Sequence, residues 1–150
     1  MNVIEAVDFP YTATLASAIG AFALGLLWYH PKVMGRRWME LRGLTADDIK
    51  VKPLQYVSTL LLWFLAAAFF SFFVDMLNIS KVHEFISLAC LLWVAFSMPP
   101  TVMGSLYTGV SFEAIAIDMA YQLGGYYVFA MVHIATAYIP VMLGTAANVL

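Results

Sequence analysis

The chain has 150 residues, of which 63% are hydrophobic and 11% are charged. Soluble domains are about half apolar and about a quarter charged, so a soluble globule of this composition would expose more apolar surface than its charged residues could cover. The composition predicts one integral membrane domain over residues 1–150, with the lipid bilayer as its main partner. The net charge of −2 argues against nucleic-acid binding, which needs a concentrated basic face. The single cysteine, Cys90, excludes a disulfide framework.

The first predicted span covers residues 12–30 and carries no Asp, Glu, Lys or Arg. Its length is close to the roughly 20 residues that a helix needs to cross the hydrocarbon core. The segment before it contains Glu5 and Asp8 but no Lys or Arg, unlike the start of a cleaved signal peptide, so we expect this span to be retained. Small residues recur in it at four-residue spacing and predict a face on which another helix packs closely. They are Ser17, Gly20, Ala21 and Gly25.

A membrane surface is predicted where the first span ends. Trp28 and Tyr29 are aromatic residues typical of the membrane–water interface, and Pro31 should stop or kink the helix. The segment 31–53 that follows carries six of the seven Lys and Arg residues, which are Lys32, Arg36, Arg37, Arg42, Lys50 and Lys52. The positive-inside rule therefore places this segment in the cytoplasm. With four spans, both termini then face outward.

Within this basic segment we predict a short amphipathic helix in the headgroup layer, because Met34, Trp38 and Leu41 can share one of its faces. Thr45 and Asp48 have the spacing of a capping box, which indicates the start of another helical turn. Three more spans follow, at about residues 54–75, 85–107 and 114–138. The predicted fold is therefore an all-α, integral membrane four-helix bundle.

The third span contains Pro99 and Pro100, which lack backbone donors and are expected to bend or split the helix as a hinge. It also contains a short sequence similarity to the end of the first span, an echo in which residues 31–35 and 100–104 share the pattern Pro-x-Val-Met-Gly. If the echo is a true repeat, the chain consists of two parallel-related helix hairpins, as in some transporters. Chance identity within so restricted an alphabet is the alternative.

The fourth span contains the residues most able to carry chemistry. A carboxylate within a span costs about 2.5 to 3.5 kcal/mol on insertion scales unless it is paired or hydrated, so Asp118 needs a partner. Four polar residues share one quadrant of this helix at about 100° per residue. They are Asp118, Gln122, Tyr126 and His133.

Two interpretations of this quadrant stay open. It could line a proton path, an ion site or a polar ligand site. Alternatively, its residues could hydrogen-bond to neighbouring helices, with Asp118 near the cytoplasmic boundary paired to a basic group. The candidate partners on that side are His30, Arg36 and Arg37.

The histidines do not predict a metal or haem centre, which needs two or more imidazoles that converge. His30 belongs to the cytoplasmic end of the first span, whereas His83 and His133 lie toward the outer side. An outward site with Asp75 and Glu84 is the one arrangement that could form. The sequence also lacks phosphate-loop, metalloprotease and nucleophile-elbow motifs. We therefore expect no metal, no cofactor and no enzymatic activity.

Three segments give the chain a family resemblance. They are Gly25-Leu26-Leu27-Trp28-Tyr29-His30-Pro31, Gly35-Arg36-Arg37-Trp38-Met39 and Gly43-Leu44-Thr45-Ala46-Asp47-Asp48-Ile49. In these segments, and in hydropathy over nearly the whole chain, the protein resembles the domain of unknown function 1761 family of bacterial membrane proteins. The resemblance implies four spans in a bacterial inner membrane and no known activity.

Three functional hypotheses follow. The first is a non-enzymatic structural or interaction subunit that forms a homo-oligomer or joins a membrane complex through the small-residue face of the first span. The second is a carrier or channel for a proton, ion or small solute, lined by the Asp118 face, with Pro99 and Pro100 as its hinge. The third is a protein that binds a lipid or other hydrophobic ligand between its aromatic-rich helices.

Overall fold

The structure is a computed structural model that describes the backbone of residues 9–147 and the side chains of residues 9–139. Within these residues it is helical and contains no strand, which confirms the predicted all-α class for this part of the chain. The acidic segment with Glu5 and Asp8 lies outside the described residues. The helices are α1 (Tyr11–Trp28), α2 (Arg36–Arg42), α3 (Pro53–Met76), α4 (Val82–Leu92), α5 (Met98–Thr108) and α6 (Phe112–Ala147), with π-helical turns at Pro31–Gly35 and Trp93–Ser97.

Three helical stretches of the described chain are long and apolar enough to cross a membrane: Tyr11–Trp28, Pro53–Met76 and Val82–Thr108. Helix α6 is longer, with 36 residues, but it is not among these three. Helix α6 continues through Pro140 to Ala147, past residue 138, at which the predicted fourth span ends.

Helix α6 lies at the centre of the fold. Helices α1 and α4 both pack along it, and α3 packs along α1. The core forms where they meet, and the rings of Phe70 and Phe129, both fully buried, contact each other edge to face with centroids 5.7 Å apart. The outer surfaces of these helices are largely apolar and exposed. An apolar exterior is expected where lipid replaces water as the solvent.

The small-residue face of α1 packs inside the protein. Ser17 and Ala21 are fully buried, and a Cβ atom added at Gly20 would lie 2.7 Å from Cγ1 of Val128 on α6. At Gly25 the added atom would overlap the hydroxyl of Tyr121, also on α6. This face therefore brings α1 close to α6 of the same chain, and assembly with other chains through it stays a prediction.

The two predicted helix hairpins are not equivalent in the structure. If a two-fold axis related α1–α3 to α4–α6, the packing of α1 on α6 would be matched by packing of α3 on α4. Helix α1 packs on α6 over much of its length, whereas α3 and α4 meet at only a few residues. The two Pro-x-Val-Met-Gly segments also differ, because residues 31–35 form a π-helical turn and residues 100–104 lie within α5. The repeat hypothesis is therefore not supported by the local structure.

The proline pair does not split the third apolar stretch. Pro99 and Pro100 cannot donate hydrogen bonds to the carbonyl groups of the preceding turn. The preceding turn widens instead into the π-helical turn Trp93–Ser97, in which the N–H of Met98 donates to the carbonyl of Trp93. Helices α4 and α5 remain one continuous helical stretch, Val82–Thr108.

Candidate ligand site at the interfacial segment

The segment between α1 and α3, which we call the interfacial segment, folds back over the end of the helical core. Its first turn is π-helical, because the N–H of Gly35 donates to the carbonyl of His30 at 3.2 Å. The imidazole Nδ1 of His30 accepts a hydrogen bond from the N–H of Lys32 at 3.2 Å, which satisfies a free amide at the start of this turn. Helix α2 then ends at Gly43, whose φ of 64° is the left-handed conformation that favours glycine.

After Gly43 the capping-box residues close an isolated turn. The hydroxyl and the N–H of Thr45 both donate to Oδ2 of Asp48, at 2.5 and 2.8 Å. These hydrogen bonds lower the pKa of the Asp48 carboxyl below its usual range. The sequence predicted a helical turn here, and the structure has a turn at residues 46–48. The next helix, α3, begins at Pro53.

Asp118 ties this segment to the core. Its Oδ1 atom accepts hydrogen bonds from the Tyr29 hydroxyl at 2.7 Å and from the Trp38 indole N–H at 2.8 Å. Its Oδ2 atom accepts a hydrogen bond from Nη2 of Arg42 at 2.5 Å. The Arg42 guanidinium also stacks over the Trp38 ring, 4.7 Å from its centroid. One carboxylate on α6 therefore holds residues from the end of α1 and from both ends of α2.

The ion-pair partner of Asp118 differs from the candidates chosen from the sequence. Arg42 occupies that position because it lies one helical turn after Trp38 on α2, so both side chains project toward α6. Arg37 projects elsewhere and forms a two-point pair with Glu113, with N···O distances of 2.7 and 2.8 Å. His30 caps the π-helical turn and Arg36 is exposed.

The Arg37–Glu113 pair lies at the surface. Both side chains are more than half exposed, so water screens the pair and its contribution to stability is small. The hydrogen bonds raise the pKa of the Arg37 guanidinium and lower the pKa of the Glu113 carboxyl. Both groups therefore stay charged over the whole physiological pH range.

A cavity of about 570 Å³ lies beneath the interfacial segment. Its walls come from Gly25 and Leu26 on α1, Tyr56 and Thr59 on α3, and Tyr121 on α6. The lining is mostly apolar, and the cavity is partly open rather than enclosed. Its volume lies within the range of about 300 to 1,000 Å³ that is typical of small-molecule pockets.

The roof of the cavity is the interfacial segment itself. Trp38 and Met39 of α2 contribute to it, together with Ile49 and Val51 from the irregular stretch before α3. Trp38 is also a donor to Asp118, so the roof is attached to α6 through the side chain that covers the cavity. The Asp118 cluster and the cavity are therefore one structural unit.

Other aromatic rings pack against Tyr121, which lines the cavity. The Tyr121 hydroxyl accepts a hydrogen bond from the indole N–H of Trp63 at 2.6 Å, and the two rings meet edge to face with centroids 5.5 Å apart. Tyr29 packs edge to face against the other side of Tyr121, at 5.2 Å. The absence of a side chain at Gly25 lets Tyr121 approach α1 this closely. The site thus combines an aromatic cluster around Tyr121 with a roof held by polar contacts.

The other polar residues of α6 contact different helices rather than one common path. Gln122 hydrogen-bonds to Thr101 of α5 at 3.2 Å. Tyr126 accepts a hydrogen bond from Ser97, in the second π-helical turn, at 3.0 Å. His133 is buried and contacts Ser71 of α3. Gln122, Tyr126 and His133 thus hydrogen-bond to neighbouring helical segments, and an ion or ligand path along this quadrant stays a prediction.

The contacts of His133 determine the direction of a buried hydrogen-bond chain. Its Nδ1 atom lies 2.8 Å from the carbonyl oxygen of Phe129, which can only accept, so Nδ1 carries the proton. Nε2 is then the acceptor for the Ser71 hydroxyl at 2.9 Å. The Ser71 hydroxyl also shares a hydrogen bond with the hydroxyl of Thr14 on α1 at 2.7 Å. The chain links α1, α3 and α6 within the core.

Replacing Ser71 by alanine should destabilise the protein by about 1 to 3 kcal/mol, because buried polar groups of Thr14 and His133 lose their partner. Thermal unfolding in mild detergent measures the change. Ser58→Ala is the matched control, since Ser58 is exposed on the same helix. This substitution should leave the thermal stability unchanged. Equal stability of both variants would show that the buried chain contributes nothing.

In the structure, the residues of the predicted outward metal site do not come together. His83 is exposed and His133 is occupied by Ser71 and Phe129. Among the described residues, no group of three or more His, Cys, Asp or Glu side chains lies close enough to hold a metal ion.

Sequence reasoning did not identify several residues of the site. Arg42 was recognised only as one of the basic residues, although its spacing of four from Trp38 is a signal for a stacked pair on one helix. Thr59, Tyr56 and Tyr121 carried no usable signal, because their contribution depends on how α3 and α6 approach the roof.

Comparisons with known proteins establish a family but supply no activity. No curated protein matches the chain, and no solved structure matches it. A family model described as "Protein of unknown function (DUF1761)" matches residues 12–134, and hence most of the chain. The protein therefore belongs to the DUF1761 family.

Proposed function

We propose that the protein is a four-span protein of a bacterial inner membrane that binds one amphipathic small molecule in the cavity beneath the interfacial segment. The segment 31–53 then lies on the cytoplasmic side, and α6 provides the fourth span. We expect binding rather than catalysis. The observation that carries the proposal is the cavity of about 570 Å³, with its mostly apolar lining and its roof formed by the segment between α1 and α3.

The position of the cavity favours an amphipathic ligand. Its walls on α1 and α3 belong to helices that are long and apolar enough to cross a membrane, whereas its roof comes from the basic segment after α1. A molecule bound there can place its apolar part against Leu26 and Tyr56 and its polar part toward the surface. Tyrosine and tryptophan side chains suit such a position because each has an apolar body and a polar tip.

A binding protein is favoured over a carrier by the contacts of α6. A transport path needs polar groups that face a common route, but Asp118, Gln122 and His133 each bond to a different element of the fold. Assembly through α1 is disfavoured because α6 already covers that face. Neither a carrier nor an assembly subunit would explain the presence of the cavity.

Filling the cavity tests the proposal. Thr59 lines the cavity, so Thr59→Trp should occupy much of its volume and lower the retention of a neutral single-chain probe, monoolein, by about tenfold. Native mass spectrometry of the detergent-extracted protein counts the bound molecules. Ser58→Trp is the matched control, because Ser58 is the adjacent exposed residue of α3 and is not part of the lining. Equal retention of monoolein by the wild type and both variants would refute the proposal.

A further inference from the structure

Four cationic residues are sequence neighbours of residues that line the roof of the cavity. Lys32 follows the lining residue Pro31, and Arg36 follows the lining residue Gly35. Lys50 lies between the lining residues Ile49 and Val51, and Lys52 comes directly after Val51. The four cationic residues are all exposed. They therefore place positive charge around the only part of the cavity that faces the membrane surface in our proposed orientation.

These charges are not neutralised by nearby carboxylates. Within residues 9–139, none of the four cations forms an ion pair, whereas Arg37, Arg42 and Lys81 do. The neighbouring acid Glu40 is paired with Arg37, and the two remaining carboxylates of the segment, Asp47 and Asp48, offset only part of the four positive charges. The roof therefore offers an excess of positive charge to a ligand.

We infer that the bound molecule is an anionic phospholipid of the cytoplasmic leaflet. This inference rests on the proposed function and names its ligand class. One acyl chain would lie in the apolar cavity, and the second would leave through its opening into the bilayer. The phosphate would remain outside, against the cations of the roof, because Lys and Arg side chains form charge-assisted hydrogen bonds with phosphate oxygens. A zwitterionic lipid of the same chains fits the cavity equally well but carries no net charge for these cations to attract.

The test compares two lipids that differ only in their headgroups. The wild-type protein, extracted in mild detergent, is incubated with equimolar dioleoyl phosphatidylglycerol and dioleoyl phosphatidylcholine, and native mass spectrometry measures the ratio retained. We expect a preference of about fivefold to tenfold for phosphatidylglycerol, since each basic residue near a membrane surface adds to the attraction. The variant Lys32→Gln/Arg36→Gln/Lys50→Gln/Lys52→Gln should retain the two lipids about equally. Lys81→Gln is the control, because Lys81 lies in the turn before α4 and should leave the preference unchanged.

Each other outcome identifies which inference fails. Equal retention of both lipids by the wild type, together with monoolein binding that Thr59→Trp abolishes, would overturn the choice of ligand and leave the proposed function standing. A phosphatidylglycerol preference that persists in Thr59→Trp would show that the cations act on the surrounding lipid and not on a cavity ligand, and it would also overturn the inference. Absence of any retained lipid or monoolein would remove the proposed function itself.

Discussion

Replacing Asp118 by alanine is expected to lower the free energy of unfolding by about 3 kcal/mol and to release the interfacial segment. The carboxylate accepts hydrogen bonds from Tyr29, Trp38 and Arg42, and its loss leaves the Arg42 charge without a partner. Removing one member of a buried ion pair costs about 3 to 5 kcal/mol. The Asp118 and Arg42 side chains are 18% and 28% exposed, so the lower end of that range applies. Thermal unfolding in detergent measures the loss.

Limited trypsin digestion provides a second measurement for the same variant. Trypsin cleaves after Lys and Arg, and the segment 31–53 contains six of these residues. A released segment should be cut much faster in Asp118→Ala than in the wild type. Glu113→Ala is the matched control, since its pair with Arg37 joins the same two helices but is exposed at the surface. Similar unfolding and digestion of the two variants would contradict the role we assign to Asp118.

A double substitution isolates the ion pair from the other two hydrogen bonds. In Asp118→Ala/Arg42→Met the uncompensated charge is gone, so the double variant should be more stable than Asp118→Ala alone. Sites in direct contact give non-additive effects of this kind. Additive losses would indicate that Arg42 and Asp118 do not interact.

Gly35→Ala is expected to be the most damaging single methyl addition to the interfacial segment. A Cβ atom at this position would overlap the carbonyl oxygen of Tyr29 and lie 2.8 Å from its carbonyl carbon. Because these are backbone atoms, the clash can be relieved only by opening the π-helical turn. Overpacking of this kind costs about 1 to 3 kcal/mol, and occasionally more. The thermal midpoint and the yield of monodisperse protein should both fall.

The chain offers its own control for this substitution. Gly104 ends the second Pro-x-Val-Met-Gly segment, but a Cβ atom added there would have nothing within 4 Å. Since Gly104 lies inside α5, alanine should be tolerated and could raise stability by up to about 1 kcal/mol. If the two alanine variants behaved alike, the close approach of Gly35 to Tyr29 would be disproved.

The contrast between these glycines shows the limit of pattern reasoning. The two segments share four of five residues, yet one follows a break after Tyr29 and the other continues a helix that a π-helical turn has already widened. The two segments have nearly the same sequence, but the hydrogen-bond partners in the residues before each segment differ. A motif match could not reveal this difference, because it depends on the conformation of residues outside the motif.

The sequence by itself determined the class of the protein. Long apolar runs cannot bury themselves in a chain with 11% charged residues, so helices suited to lipid were predictable, as was the need of Asp118 for a partner. The small residues of α1 were also recognisable as a packing face, because their spacing is a local property of one helix.

Only the tertiary structure decided which surfaces meet. It placed α6 on the small face of α1, chose Arg42 as the partner of Asp118, and brought Trp38, Thr59 and Tyr121 around one cavity. Helical periodicity shows which side chains share a face but not which neighbour that face contacts, because the contact depends on the packing of distant segments. The candidate site is made of such contacts between segments far apart in the chain, and for that reason the sequence showed its components without showing the site.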